Sequence, residues 1–335
     1  MDEPGRAETL IPPTWNPALE KALSDKVAAS ASRGGAFGML EALATLLGLI
    51  QNSLSPRIAT VPVALVTADH GFATAERSAV PRTADTLAAL RGGRLPLAAL
   101  ARVHDAALEV VHASGAERPP ERGTAGATAL VSRTADARRG PAMTSAQAQA
   151  ALRHGMREGE RADGGAIVCA GWGAGAATGA ALVLGALTQR DPGVFMADDG
   201  EARACAEAVR ERHAALWEPG AARDPLDVLA ALGGLEVGTL AGLMLGAAAR
   251  RQAVLVDGIA ALAAAHVAMR IAPYVGDYCI PVRSRAGRGV DAALSLWRPA
   301  LPAAPELDAT DGTAGVLALP VLRSAAALLA APPRS

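Results

Sequence analysis

Apolar and polar positions alternate along this chain in two periods. Near the start, "MLEALATLLGLIQN" (39–52) places Leu40, Leu43, Leu47 and Ile50 at helical spacing, and the segment up to Asn52 reads as helices. "RIATVPVALVTADHG" (57–71) then gives a β-rich run from Val61 to Val66 that ends at Asp69, His70 and Gly71. A helical segment over 83–90 follows, then "RGGRLPLAALARVHDA" (91–106) and an apolar run over 107–112. Residues 114–140 are poor in large apolar groups and rich in Gly, Arg and Pro, which predicts a long, partly mobile surface loop. Helical periodicity resumes at "TSAQAQAALRHGMREGERA" (144–162), with Thr144 or Ser145 as N-cap.

The stretch "GAIVCAGWGAGAATGA" (165–180) joins four apolar residues (Ala166, Ile167, Val168, Cys169) to a glycine-studded turn and then to small helix formers. Such a pattern predicts a buried strand entering a turn whose backbone N–H groups closely approach a ligand. "ARRQAVLVDGIAALAAAHVAMR" (249–270) repeats the theme, with a turn at Asp257 and Gly258. Strands alternating with helices in this way predict an α/β fold, a parallel sheet with helices on both faces. Ligands in such sheets lie at the carboxyl ends of the strands. One candidate edge therefore carries Asp69-His70-Gly71, the 171–179 loop and Asp257-Gly258.

Composition narrows the classes. The chain has 335 residues, of which 51% are hydrophobic, 19% charged and 3% aromatic, with a net charge of −1. A large core is assured, whereas base-stacking and duplex-binding surfaces are disfavoured. Three scattered cysteines, Cys169, Cys205 and Cys279, show no metal-ligand spacing and point to a reducing compartment. The acidic start, "MDEPGRAETLIPP", lacks an apolar signal region, and a cytoplasmic protein is expected. The most membrane-like window, 228–249, carries Glu236 and five glycines and is read as buried helices of a soluble core.

Gly171, Gly173 and Ala176 fit G-x-G-x-x-A, one form of the dinucleotide fingerprint. The acidic residue that pattern requires, about 20 residues on and ending the next strand, would be Asp191, which lies in "TQRDPG" (188–193), a turn after a helix. That context weakens a nicotinamide-dinucleotide reading.

Four stretches, "FGMLEALATLLG" (37–48), "VTADHGFATAERSAVP" (66–81), "DPLDVLAALGGLEVGTLAGLMLGAA" (224–248) and "VLVDGIAALAAA" (254–265), supported by "DGTAGVLALPVLRSA" (311–325), resemble the nicotinate-nucleotide:dimethylbenzimidazole phosphoribosyltransferase family. The resemblance spans about residues 15–330. It implies a Rossmann-like parallel sheet in a large α/β domain, 53–300. A small helical domain is then built from N-terminal helices, 1–52, and a C-terminal segment, 301–335. It also implies a homodimer, no cofactor and no metal. The implied partners are nicotinate mononucleotide and an aromatic, benzimidazole-like base. In the implied reaction a ring nitrogen of the base attacks the anomeric carbon, nicotinate leaves, and an α-riboside phosphate results.

Residue by residue, the resemblance places Asp311, in "TDGTAG" (310–315), at the position of the family's catalytic glutamate. Its other reading is a cap on the following helix. Base binding falls to Ser78, Arg82, Gly171, Trp172 and Gly173, and ribose and phosphate binding to Gly175, Arg283, Ser284 and Gly312. Several polar positions differ from the family. Gly171 and Ala176 stand where it has Glu and Asn, Arg82 replaces a glutamine, and Cys205 and Ser32 replace lysines, the latter beside Arg33. "VFMADDGEARAC" (194–205) replaces a glycine-rich phosphate loop, and its Asp198 and Asp199 would repel a phosphate that they faced. "YCIPVRSRAGRG" (278–289), read as a turn, lacks the family's His but carries Arg283, Arg285 and Arg288, a phosphate-capturing cluster or a solvated run. His70, taken alone, reads as a structural histidine. Two functions remain: an active transferase with an altered site, or an impaired paralogue that binds a base or nucleotide or pairs with an active homologue.

Overall fold

The computed structural model describes residues 11–34, 36–73, 83–113, 133–218, 220, 223–283, 289–297, 301–302 and 312–330. Helices α1 (Pro17–Gly34) and α2 (Met39–Ile50) lead into strand β1 (Val61–Thr67). Then come α3 (Thr83–Arg91), α4 (Pro96–Val103), β2 (Ala106–His112), α5 (Ser145–Gly159), β3 (Ala166–Trp172) and α6 (Ala176–Thr188). Helices α7 (Gly200–Arg212), α8 (Pro225–Leu232) and α9 (Leu235–Ala249) precede β4 (Ala253–Asp257), α10 (Gly258–Ile271) and β5 (Cys279–Arg283). A short α11 (Val290–Leu294), a two-residue β6 (Leu301–Pro302) and α12 (Thr313–Ala330) follow.

The strands form one parallel sheet in the order β2-β1-β3-β4-β5-β6. Every residue of β1 and β4 is buried, as expected of strands covered on both faces, and this is why they read as unbroken apolar runs. Successive residues of β3 turn to opposite layers. A Cβ on Gly171 would meet Ala260 of α10 and Leu240 of α9, whereas one on Gly315 of α12 would meet Val168. Helices α9 and α10 thus cover one face, and α12 the other.

The 228–249 window divides at Gly233 and Gly234 into α8 and α9, and both helices are buried in the core. Helix α9 crosses α5 at backbone contact. A Cβ on Gly155 would come within 1.8 Å of the Thr239 carbonyl oxygen, and one on Gly242 within 1.9 Å of that of Leu152. Helix α12 has a mean hydropathy of 1.7, high enough for a membrane span, and 56% of it is buried within the protein. It packs on α1 and α2 as well as on the sheet, and Ser30 Oγ donates to the Leu328 carbonyl at 3.2 Å.

One sequence expectation changes. The 279–283 segment is a strand, not part of a turn. Its Pro281 stands opposite Val256 of β4, and β6 pairs with Val282 and Arg283. Of the expected surface loop, residues 133–140 are described; Arg133, Ala135, Arg138 and Arg139 are exposed, and two residues are anchored to the body. Asp69 and Arg133 form a parallel bridge, and both Thr134 and Ala137 are buried.

Candidate active site

In chain order β1 is followed by β2 on one side and β3 on the other. The crossovers therefore leave in opposite directions and open a crevice beyond the carboxyl ends of β1 and β3. Thr67 and Trp172 are register partners at that edge. Past them the backbones of the two loops lock together. Ala68 N–H donates to the Trp172 carbonyl at 3.2 Å, and His70 N–H to that of Ala174 at 2.9 Å. Glycine is required here for space. A Cβ on Gly173 would lie 1.7 Å from the Ala68 carbonyl oxygen, and Gly175 has φ +82°.

Asp69 Oδ1 accepts the Ala174 N–H at 3.0 Å and the hydroxyl of Thr83, the first residue of α3. Gly175 caps α6 without a side-chain hydrogen bond. The first turn of α6 thus presents backbone N–H groups, and a positive dipole end, at the crevice.

Beneath this layer His70 and Glu236 form a fully buried pair, Nε2 to Oε1 at 2.9 Å. With Glu236 ionised, Nε2 carries the proton and donates. The ring fills the space beside Gly179, where a Cβ would meet its Cε1 at 2.2 Å, and the carboxylate lies against Gly234. His70 Nδ1 and Glu236 Oε2 make no hydrogen bond among the described residues. Two β-strands to the other side, buried Asp257 ends β4, and its Oδ2 accepts the Gly315 N–H at 2.8 Å. This anchors the start of α12, where Gly312, at φ +96°, rests on Val63 and Ala170. The edge thus places an uncapped helix N-terminus above a fully buried histidine and two fully buried carboxylates.

The chain matches the DBI_PRT phosphoribosyltransferase family over residues 12–332. It belongs to that family. It is 38% identical over 336 residues to the nicotinate-nucleotide–dimethylbenzimidazole phosphoribosyltransferase of Cupriavidus taiwanensis, covering 95% of this chain and 94% of the relative. With the Deinococcus radiodurans protein of the same name it shares 35% over 315 residues, 88% and 84% of the two chains. The crystal structure of the Thermus thermophilus enzyme of that name superposes with a TM-score of 0.84 at 26% identity, over 95% of this chain and 97% of that one. This α/β protein is a pentosyltransferase by family, and a dinucleotide reading of its glycine loop is set aside. Asp191 in fact caps a 3₁₀ turn, accepting the Gly193 N–H.

In this phosphoribosyltransferase the expected site residues divide into two groups. Gly171, Trp172, Gly173, Gly175 and Gly312 all lie at the carboxyl edge, and Trp172 is partly buried as the last residue of β3. Arg283 ends β5, in register with Pro302. Ser78, Arg82, Ser284 and Asp311, with Arg285 and Arg288, lie outside the described residues. Asp199 does not face an open anion site. Its own Oδ1 accepts the Glu201 and Ala202 N–H groups and caps α7. Asp198 is exposed, 3.7 Å from Arg203, and burial pushes the Cys205 thiol upward. Reading the sequence missed Thr83, and noted Glu236 only as a charge within an apolar window. A lone carboxylate inside an otherwise apolar helix was the available signal for a buried partner.

Proposed function

We propose that this transferase moves ribose 5-phosphate from nicotinate mononucleotide to an aromatic, benzimidazole-like base, with Asp311 as general base. The observation that carries the reading is 38% identity over 95% of the chain to an enzyme named for that donor and acceptor. A neutral azole is a weak nucleophile, so a carboxylate takes its N–H proton while the other ring nitrogen forms the bond to C1′. The C1′–nicotinate bond breaks, and its electron pair leaves with the nicotinate ring nitrogen. The product is an α-riboside phosphate. Gly312, the residue after Asp311, rests over β1 and β3, which supports a base positioned above the crevice. The uncapped α6 N-terminus suits ribose or phosphate oxygens. A cytoplasmic homodimer is part of the same proposal.

One observation favours the second reading, an impaired paralogue that binds a base or nucleotide or pairs with an active homologue. Asp199 spends the α7 N-terminus on its own carboxylate, leaving less backbone for a phosphate.

The test incubates purified protein with nicotinate mononucleotide and a panel of benzimidazoles, purines and phenols, with Asp311→Ala alongside. Product from the wild type that vanishes in the variant supports the first reading. No product with any base overturns it.

A further inference from the structure

We infer that Asp69 is a positioning residue, a single carboxylate that fixes the distance between the glycine loop and the start of α3. The inference rests on the transferase reading and goes beyond it by assigning a role to a residue that does not itself react.

Three separate pieces of chain meet at Asp69. Its Oδ1 takes the Ala174 N–H from the glycine loop at 3.0 Å and the Thr83 hydroxyl from α3. Its carbonyl takes the Thr134 N–H, from the segment before α5, at 3.2 Å, and Thr134 Oγ1 in turn accepts the Gly71 N–H at 3.1 Å. A neutral amide oxygen can also accept hydrogen bonds, but a carboxylate oxygen with two donors makes charge-assisted bonds, roughly twice as strong as neutral ones.

Thr83 is the informative partner. It is the first residue of α3, its hydroxyl is directed to Asp69, and its residue is 8% exposed. The chain also leaves the strand end close by, where Ala73 N–H donates to the His70 carbonyl at 3.0 Å. Departure at Ala73 and return at Thr83 are thus both referred to the end of β1, and Arg82, which the family resemblance assigns to the base side, directly precedes Thr83. A carboxylate that spaces these two walls governs the fit of a flat acceptor between them. The effect falls on acceptor binding more than on donor binding, because a displacement of about an ångström is enough to spoil alignment for attack.

The experiment compares wild type, Asp69→Ala, Asp69→Asn and Thr83→Val. Amide hydrogen exchange is followed at Ala174, and KM is measured separately for 5,6-dimethylbenzimidazole and nicotinate mononucleotide. Asp69→Ala should speed Ala174 exchange at least about tenfold and raise the KM of the base about tenfold, the size expected for a lost charge-assisted hydrogen bond. Asp69→Asn should restore about half of both, and Thr83→Val should raise the KM of the base with little change for the donor. Unaltered exchange and KM in Asp69→Ala overturn the inference, as does an equal rise in both KM values. If the wild type makes no product, the transferase reading fails, and exchange at Ala174 alone decides whether Asp69 holds the loop.

Discussion

Asp257 Oδ2 accepts the backbone N–H of Gly315 at 2.8 Å, so the end of a central strand and the first turn of the last helix move as one piece. Both residues are buried. The bond ties the first turn of α12 to the sheet.

Replacing Asp257 with Ala should therefore lower stability by about 2 kcal/mol, the range for a buried hydrogen bond to a charged group. Under the proposed role of Asp311 as general base, kcat should also fall tenfold or more with a smaller change in KM, because the start of α12 shifts. Urea unfolding and steady-state kinetics check the two effects. Gly315→Ala should act in the same direction, because a Cβ there would lie 2.3 Å from Val168 Cγ1 and push α12 away from β3.

A pH effect follows from His266. Burial lowers its pKa to about 4, and its Nε2 accepts the Trp297 indole N–H at 3.0 Å, a bond that protonation removes. The folded value is below the ordinary 6.5, so the unfolded chain takes up the proton first as the pH falls. Stability from this group is complete above pH 6.5, declines between 6.5 and 4 by up to about 3 kcal/mol, and levels off below. His154, also lowered by burial, acts in the same sense, and Glu109, raised by burial, in the opposite one. The difference in melting temperature between wild type and His266→Leu, followed across that window, isolates the effect.

The α5–α9 crossing leaves no room for a methyl group. Gly242→Ala would set a Cβ 1.9 Å from the Leu152 carbonyl oxygen, a clash with backbone that rotamers cannot relieve. A loss of at least about 3 kcal/mol is expected, read as a lower urea midpoint or as protein recovered only in aggregates.

Asp199→Ala removes the α7 cap and should cost about 1 kcal/mol, whereas Asp199→Ser, which keeps an acceptor, should cost only a few tenths. Chemical denaturation of the two variants side by side separates capping from charge.

Strands β1, β3 and β4 were legible because strands buried on both faces leave an apolar signature in the sequence. The Thr144 cap was equally legible, and its capping box with Gln147 is complete. Strand β5 was hidden by Pro281, because proline in a short run reads as a turn. At the site, the glycine turn could be read from spacing, since a positive φ and a close approach both select glycine. The partnerships could not. His70 meets Glu236 across 166 positions, and Asp257 meets Gly315 across 58. In sequence each is one polar residue among apolar neighbours, and only the topology pairs them.

Helix α12 carries a cost in time. It is made last, yet it covers α2, made almost first, and its Arg323 holds the carbonyls of Ala59, His104 and Asp105 at the entries to β1 and β2. At ribosomal speed Leu43, Leu47 and Ile50 wait on the order of tens of seconds for their covering layer. A nascent chain therefore shows a sticky helical pair to its surroundings, or to a chaperone, for most of its synthesis. The first turn of α12, with Gly312 just before it, reaches β1 and β3 only at the end of synthesis.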